Sequence, residues 1–359
     1  MLFSPTKIGS LELPNRLVRS ATAECLADAE GRPLPKLKTM YEELACGGVG
    51  LIITGHMYVH RNGKAHAHMM GIDSDELISG LSELADVVHD NGGRVAVQIN
   101  HGGMNSNAES VHTAIAPSDV ELPSVLKTAR AMSSDEVEML VDAYAQAARR
   151  VQEAGFDGVQ IHTAHGYLIS QFLSPLVNRR TDEWGGDLRG RLHFLRAVCE
   201  AVRGQVGPTY PVFVKLGVKD GQDGGLTLEE GLQVASSLGA MSLDAVEISV
   251  GLGTSTRVSS KPGDDDAYFR PWARQASAVT DLPVILVGGL RSRQVMEDVL
   301  RSGDADLVSL CRPLICEPDL PNRMRLGRQE RSSCISANRC WTTEYGEGVS
   351  CKCPLEKAV

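Results

Sequence analysis

The chain has 359 residues, 42% of them hydrophobic and 23% charged, which is enough to bury a large core and excludes a disordered polypeptide. Its 36 glycines against only 4% aromatic residues favour many tight loops over an aromatic-rich β-sandwich. A net charge of −9 argues against nucleic acid or an anionic membrane as partner, because either would need clustered Lys and Arg. The N-terminus lacks the apolar stretch and cleavage site of a leader, and no run of about 18 apolar residues occurs, so a cytoplasmic protein is expected. Nine cysteines in a chain of this size do not read as a secreted disulfide scaffold. Cys25, Cys46, Cys199, Cys311 and Cys316 are scattered, whereas Cys334, Cys340, Cys351 and Cys353 crowd the end.

Short β-branched runs recur along the chain, each followed by a loop and a segment of helical period, the pattern of parallel βα units. Eight strands are expected, at 17–20, 49–54, 94–99, 158–162, 212–216, 245–249, 284–287 and 307–310. Helices are expected between them at 36–46, 77–91, 134–154, 190–202, 227–238 and 292–302. Ser133 or Ser134 followed by acids starts one, and Asn91-Gly92-Gly93 ends another. Eight units with no dinucleotide fingerprint after an early strand predict an α/β fold, a closed (β/α)8 TIM barrel. A long polar insertion at 101–131 follows strand three and is expected to roof a site. The barrel should occupy 1–327, and 328–359 should form a Cys-rich C-terminal extension.

In such a barrel the working residues sit at the C-terminal ends of the strands. Strand four exits through Gln160-Ile161-His162-Thr163-Ala164-His165-Gly166-Tyr167, placing two imidazoles and a phenol on one rim. Imidazoles three apart on a turn can donate to one oxygen, and a phenol can deliver a proton to a carbanion. A two-histidine metal site is the rival functional reading, without an obvious third ligand, and histidines that merely cap a loop are the bland one. Gly288-Gly289 after strand seven and Cys311-Arg312 after strand eight could offer amides and a cation to a phosphorylated ligand such as FMN. Either could equally be a tight turn and a surface pair. Gln98, Asn100 and His101 end strand three, and Lys215 stands in the apolar run VFVKLGV. That lysine suits either a Schiff-base nucleophile or a cation beside a reduced flavin.

The block AGFDGVQIHTAHGYLISQFLSPLVNRRTDEWGGDLRGR at 154–191 carries a family resemblance, supported by LFSPTKIGSLELPNRLVRSAT, VAVQINHGG, VGGL and DLVSLCRPLICEPDLPNR. Over 2–327 the chain resembles the Old Yellow Enzyme family, FMN-dependent ene-reductases and NADH:flavin oxidoreductases. The resemblance implies Gln98 on the flavin pyrimidine and Lys215 beside N1 and O2. It implies Gly288, Gly289, Cys311 and Arg312 on the phosphate, and Ala21, Thr22, Ala23 and Gly55 along the isoalloxazine. His162 and His165 resemble the pair that binds the oxygen of an activated alkene, and Tyr167 the proton donor; Cys25 is a candidate substrate contact. The implied activity is reduction of an α,β-unsaturated carbonyl or related conjugated small molecule by flavin hydride and Tyr protonation. NADH or NADPH serves as reductant, the kinetics are ping-pong, and the protein is a homo-oligomer.

The sequence departs from the family at four points. Ala23 stands where Thr or Cys is usual near the flavin O4, with Cys25 two places later in a stretch whose relatives carry Gly. Cys311 replaces a common Gly or Ala. The loop after strand six lacks the His of dienoyl-CoA reductases. The tail resembles the [4Fe–4S] ligand pattern of dienoyl-CoA reductases and trimethylamine dehydrogenases, but Ala337 occupies the second ligand position. No metal is assigned; a Zn or Fe–S site at Cys334, Cys340, Cys351 and Cys353 is the lesser reading, and with it an amine dehydrogenase, demethylase or dienoyl-CoA reductase-like activity.

Overall fold

The structure, a computed structural model, describes residues 1–107, 111–119, 129–253, 267–341 and 344–352. Eight parallel strands form its centre: β1 (Leu17–Arg19), β2 (Leu51–Ile53), β3 (Val95–Asn100), β4 (Gly158–Thr163), β5 (Val212–Gly217), β6 (Val246–Ser249), β7 (Val284–Val287) and β8 (Leu307–Leu310). Each pairs with its sequence neighbours, and β8 pairs with β1, so the sheet closes into a barrel. All eight lie where the apolar runs predict them. Helices α1 (Pro35–Cys46), α2 (Ile78–Asp90), α3 (Ser134–Glu153), α4 (His193–Val206), α5 (Leu228–Ser237), α6 (Arg270–Ser277) and α7 (Arg293–Ser302) follow successive strands from β1 to β7.

The cap signals act as expected. Ser133 and Glu136 form a reciprocal capping box at the start of α3, and Gly92 takes φ +72° just past the end of α2. The helix expected at 190–202 is instead two pieces, Leu188–Arg191 and α4. Asp187 caps the first through the Gly190 amide, and a Cβ on Gly190 would lie 1.9 Å from Gly185 O, so the chain is pinned there before α4 starts.

The barrel interior is layered. Its lower part is apolar, with Val18, Leu51, Ile53, Ala96, Phe213, Ala245, Ile285 and Leu307 in one buried cluster. Ile8, Leu11 and Leu13 join that cluster from an antiparallel hairpin, Thr6–Ile8 with Leu11–Leu13, which floors the barrel. Gly9 makes the hairpin turn at φ +56°, where a Cβ would meet Asp244 Oδ1 at 2.7 Å. The upper layer is polar, with Gln98, Gln160, Lys215, Glu247 and Ser309 all buried. A larger apolar cluster lies between the strands and the helical ring.

The insertion after β3 is not wholly irregular. It contains a 3-10 turn, Gly103–Asn105, and a parallel pair, Ala114–Ala116 with Ala129–Ala131; residues 108–110 and 120–128 lie outside the described residues. Arg180 clamps it to the barrel by donating from Nη1 to Met132 O at 2.6 Å and Pro117 O at 3.1 Å. Among the described residues, no helix is long and apolar enough to cross a membrane.

Candidate active site

The exit of β4 turns on two consecutive left-handed residues, His165 at φ +60° and Gly166 at φ +70°. A non-glycine residue in that region costs about 1–2 kcal/mol, and here the turn brings two imidazoles and a phenol together. His162 ends near the strand mouth, and Tyr167 caps the short helix Leu168–Leu173. The ring of His162 lies 5.0 Å from His165 and 5.1 Å from Tyr167, centroid to centroid. His56, at the exit of β2, lies 5.0 Å from Tyr167 and 6.1 Å from His162. Asn100 Nδ2 donates to His56 Nδ1 at 2.8 Å, fixing that ring.

Burial makes these groups neutral. It pushes the His162 and His56 pKa values well below the ordinary imidazole range, with the neighbouring histidines adding to the effect, and lowers His165 to about 3 with Lys215 assisting. The Tyr167 phenol is pushed up to about 12 by burial, then by Cys25, so it keeps its proton at any working pH. His165 Nε2 meets Ser249 Oγ at 2.8 Å, whereas His162 Nδ1 is buried without a hydrogen-bond partner. An unmet buried group of this kind costs about 1–3 kcal/mol, and a ligand oxygen would recover it.

The depressed imidazoles also set an acid response. His101, buried and bonded to Asn62 and the Gly103 amide, falls to about 3 like His165. Below the unfolded value near 6.5 the unfolded chain binds protons that the native imidazoles refuse. Stability is therefore full above that pH and declines as pH drops toward 3. These two groups predict a loss on the order of 3 kcal/mol between pH 7 and pH 5, to be read from urea unfolding at the two pH values.

Beside the rings opens a cavity of about 680 Å³, within the roughly 300–1,000 Å³ range of cofactor sites. Ala21, His165, Lys215, Gly288, Gly289, Cys311 and Arg312 line it. Gly288 and Gly289 take φ +112° and +76°, and side chains there would collide with Tyr268 and Phe269, so the loop offers bare backbone to a ligand. A cavity of this volume, with Lys215 and Arg312 in its lining and a polar barrel layer beside it, fits a flavin mononucleotide. Gln98 lies in that layer, donating from Nε2 to Gln160 Oε1 at 2.7 Å.

Other expected contacts fall elsewhere. Gly55 does not line the cavity: its amide donates to Glu24 Oε1 at 2.8 Å, and a Cβ there would lie 1.8 Å from Glu24 Oε2, so the glycine admits the glutamate. Thr22 turns its hydroxyl to Ser20 O and the Cys311 thiol. Ala23 and Cys25 line a second, much smaller hollow with His56, His66 and Met69. Burial raises the Cys25 thiol to about 11, so it is no ready nucleophile. Residues 254–266 of the loop after β6 lie outside the described residues. Glu247, Gln160, His56 and Glu24 went unassigned in the sequence. The signal for Glu247 was available: it is a lone acid in an apolar strand, in register with Lys215 on the next.

The lesser reading of the tail, a four-cysteine metal site, meets a different pairing. Cys351 is joined to Cys316 by a disulfide, with Cα atoms 4.8 Å apart, and Cys353 lies outside the described residues. Cys351 is therefore engaged by Cys316, and among the described residues no group of three or more candidate ligands is placed to hold a metal. Glu317 explains the path, since it accepts hydrogen bonds from Gln329, Ser332 and Ser333 and draws the tail back onto the barrel. The tail then crosses the cavity rim. Arg312 bonds to Asn338, Val349 N donates to Glu24 O at 3.0 Å, and Tyr345 lies 5.2 Å from His68. A non-reducing digest should yield the Cys316 and Cys351 peptides linked, and reduction should speed proteolysis within 328–352.

The comparisons with known proteins agree with this geometry. The model of the NADH:flavin oxidoreductase / NADH oxidase family matches residues 1–331. The chain is 35% identical over 343 residues to an NADH oxidase of Thermoanaerobacter brockii, covering 94% of this chain but 52% of that protein. It thus spans about half of that relative's length. It is also 35% identical over 322 residues to an NADPH dehydrogenase of Geobacillus sp. (strain WCH70), covering 89% and 92% of the two chains. The solved structure of an old yellow enzyme homologue from Zymomonas mobilis superposes with a TM-score of 0.80 at 28% identity, covering 93% of this chain and 95% of that one. The chain belongs to the NADH:flavin oxidoreductase / NADH oxidase family, the Old Yellow Enzyme group, with FMN as cofactor.

Proposed function

We propose that this protein reduces activated C=C bonds, in an α,β-unsaturated carbonyl or a related conjugated compound, at the expense of NADH or NADPH. The observation that carries the reading is the buried, unpartnered Nδ1 of His162 beside the protonated phenol of Tyr167, next to His165, which lines the cavity. FMN, when bound, supplies the hydride chemistry. Gln98 and Lys215 bind its pyrimidine end, and the Gly288, Gly289 and Cys311 backbone with Arg312 binds its phosphate. His162 and His165 donate N–H groups to the substrate oxygen. Being neutral and fixed, they stabilise charge that develops there without first being stripped of water. Tyr167 delivers a proton to the α-carbon, and its burial keeps that proton available.

The test is direct. FMN-loaded protein should bleach anaerobically with NADH or NADPH and regain its colour with cyclohexenone. A protein that binds no FMN, or whose flavin is reduced by amines and never reoxidised by enones, would sink the reading. Reductant and substrate use one cavity in turn, so double-reciprocal plots at several substrate concentrations are expected to be parallel.

A further inference from the structure

Beneath the cavity lies a buried hydrogen-bonded chain whose polarity is fixed from one end. Glu247 on β6 is fully buried, and both of its oxygens accept. Oε1 takes the hydroxyls of Ser20 and Ser309, each at 2.8 Å, and Oε2 takes Gln160 Nε2 at 2.9 Å with Lys215 Nζ at 3.3 Å. Lys215 Nζ also donates to Ser20 Oγ at 2.8 Å, so that hydroxyl has only its proton left for the carboxylate. A carboxylate with four donors around it presents nothing but acceptors. Gln160 must therefore turn its NH₂ toward Glu247 and its carbonyl toward Gln98. Gln98 must in turn spend its NH₂ on Gln160, at 2.7 Å, which leaves its carbonyl oxygen without a donor from the described residues. The strand register makes the chain possible, because Gln98 faces Gln160 across β3 and β4, and Lys215 faces Glu247 across β5 and β6.

We propose that Glu247 is a positioning residue for the flavin: through Gln160 it turns the Gln98 carbonyl toward the pyrimidine N–H, and by direct pairing it holds Lys215 and offsets its charge. The proposal rests on the reading that Gln98 and Lys215 bind the pyrimidine. Its consequence is that this carboxylate, which need not touch the cofactor, sets both how tightly oxidised FMN binds and how strongly the reduced, anionic form is favoured over it.

The experiment measures the FMN dissociation constant and the midpoint potential of the bound flavin in four variants of the full chain. Glu247→Gln removes the negative charge and leaves Lys215 unopposed. The preference for reduced over oxidised FMN should rise about tenfold, which is about 30 mV for a two-electron couple. Glu247→Asp keeps the charge and should hold the potential near the parent value. Gln160→Met cuts the relay to Gln98 while sparing the Lys215 pair, so FMN should bind about tenfold more weakly with little change in potential. Gln98→Ala tests the underlying reading and should weaken FMN at least as much. If Gln98→Ala weakens binding while Glu247→Gln and Gln160→Met keep the parent affinity and potential, the relay is wrong and the flavin site stands. If Gln98→Ala binds FMN like the parent, the reading of the site fails and takes the relay with it. Should Glu247→Gln fail to fold, the affinity of Gln160→Met still decides.

Discussion

Tyr167→Phe is expected to leave bleaching of the flavin by NADH or NADPH close to the parent rate, while reoxidation by an enone slows by roughly 10²–10⁴-fold. The two half-reactions separate because only the second needs a proton at carbon. The phenol is half-buried and lies against His162 and His56, so its removal takes away an acid while the packed ring stays in place. The substitution deletes one hydroxyl and keeps the ring that packs there, so folding should be unaffected. Stopped-flow spectroscopy of the two half-reactions reads the effect. Because the phenol is held near 12, reoxidation of the parent should not decline across pH 7–10 through loss of this proton. Equal loss in both half-reactions would show that Tyr167 shapes the cavity rather than donating.

The largest effect on stability is expected at Glu24, behind the site. Its Oε1 accepts from Arg19 Nη1, Tyr41 OH and the Gly55 amide, each at 2.8 Å, with the Arg19 and Glu24 side chains only 2% and 3% exposed. Glu24→Ala would strand a buried guanidinium, a phenol and an amide together. Breaking a buried pair from one side costs about 3–5 kcal/mol, because the remaining charge has lost its counterion. Arg19 keeps a bond to Ile53 O, which limits the loss without neutralising the charge. Urea unfolding of Glu24→Ala against Glu24→Gln separates the contributions, since the amide preserves part of the hydrogen bonding and none of the charge. A loss below about 1 kcal/mol for Glu24→Ala would mean that the pair contributes little.

Much of the strongest sequence block is scaffold rather than site. Within 154–191 the side chains of His162, His165 and Tyr167 form the ring cluster to which the proposed chemistry is assigned. Arg180 instead clamps the insertion, Asp182 pairs with Arg180, and Asn178 Nδ2 bonds Phe172 O and Trp184 O at 2.8 Å. Their spacing identifies the family and says little about chemistry. Gly55 shows the opposite case: it was expected along the flavin, yet it serves the Glu24 pair, because a chain segment alone does not say which neighbour fills the space a missing Cβ leaves. The tail disulfide was not legible for a similar reason. Cys316 and Cys351 are 35 residues apart and belong to no shared local pattern, so only the return path set by Glu317 makes them partners.

By itself the sequence determined the eight strands, most of the helices and the rim that carries the imidazoles and the phenol. Period and caps are local, and a parallel barrel puts every strand's exit on one face. The tertiary structure alone decided which of those residues are unpaired, which are neutral, and which act through others. Burial depresses the histidines, and barrel closure sets Glu247 against Lys215, Ser20, Ser309 and Gln160 from four other strands or their exits. Charge and hydrogen-bond polarity depend on what lies within a few ångströms in space, and no linear spacing records that.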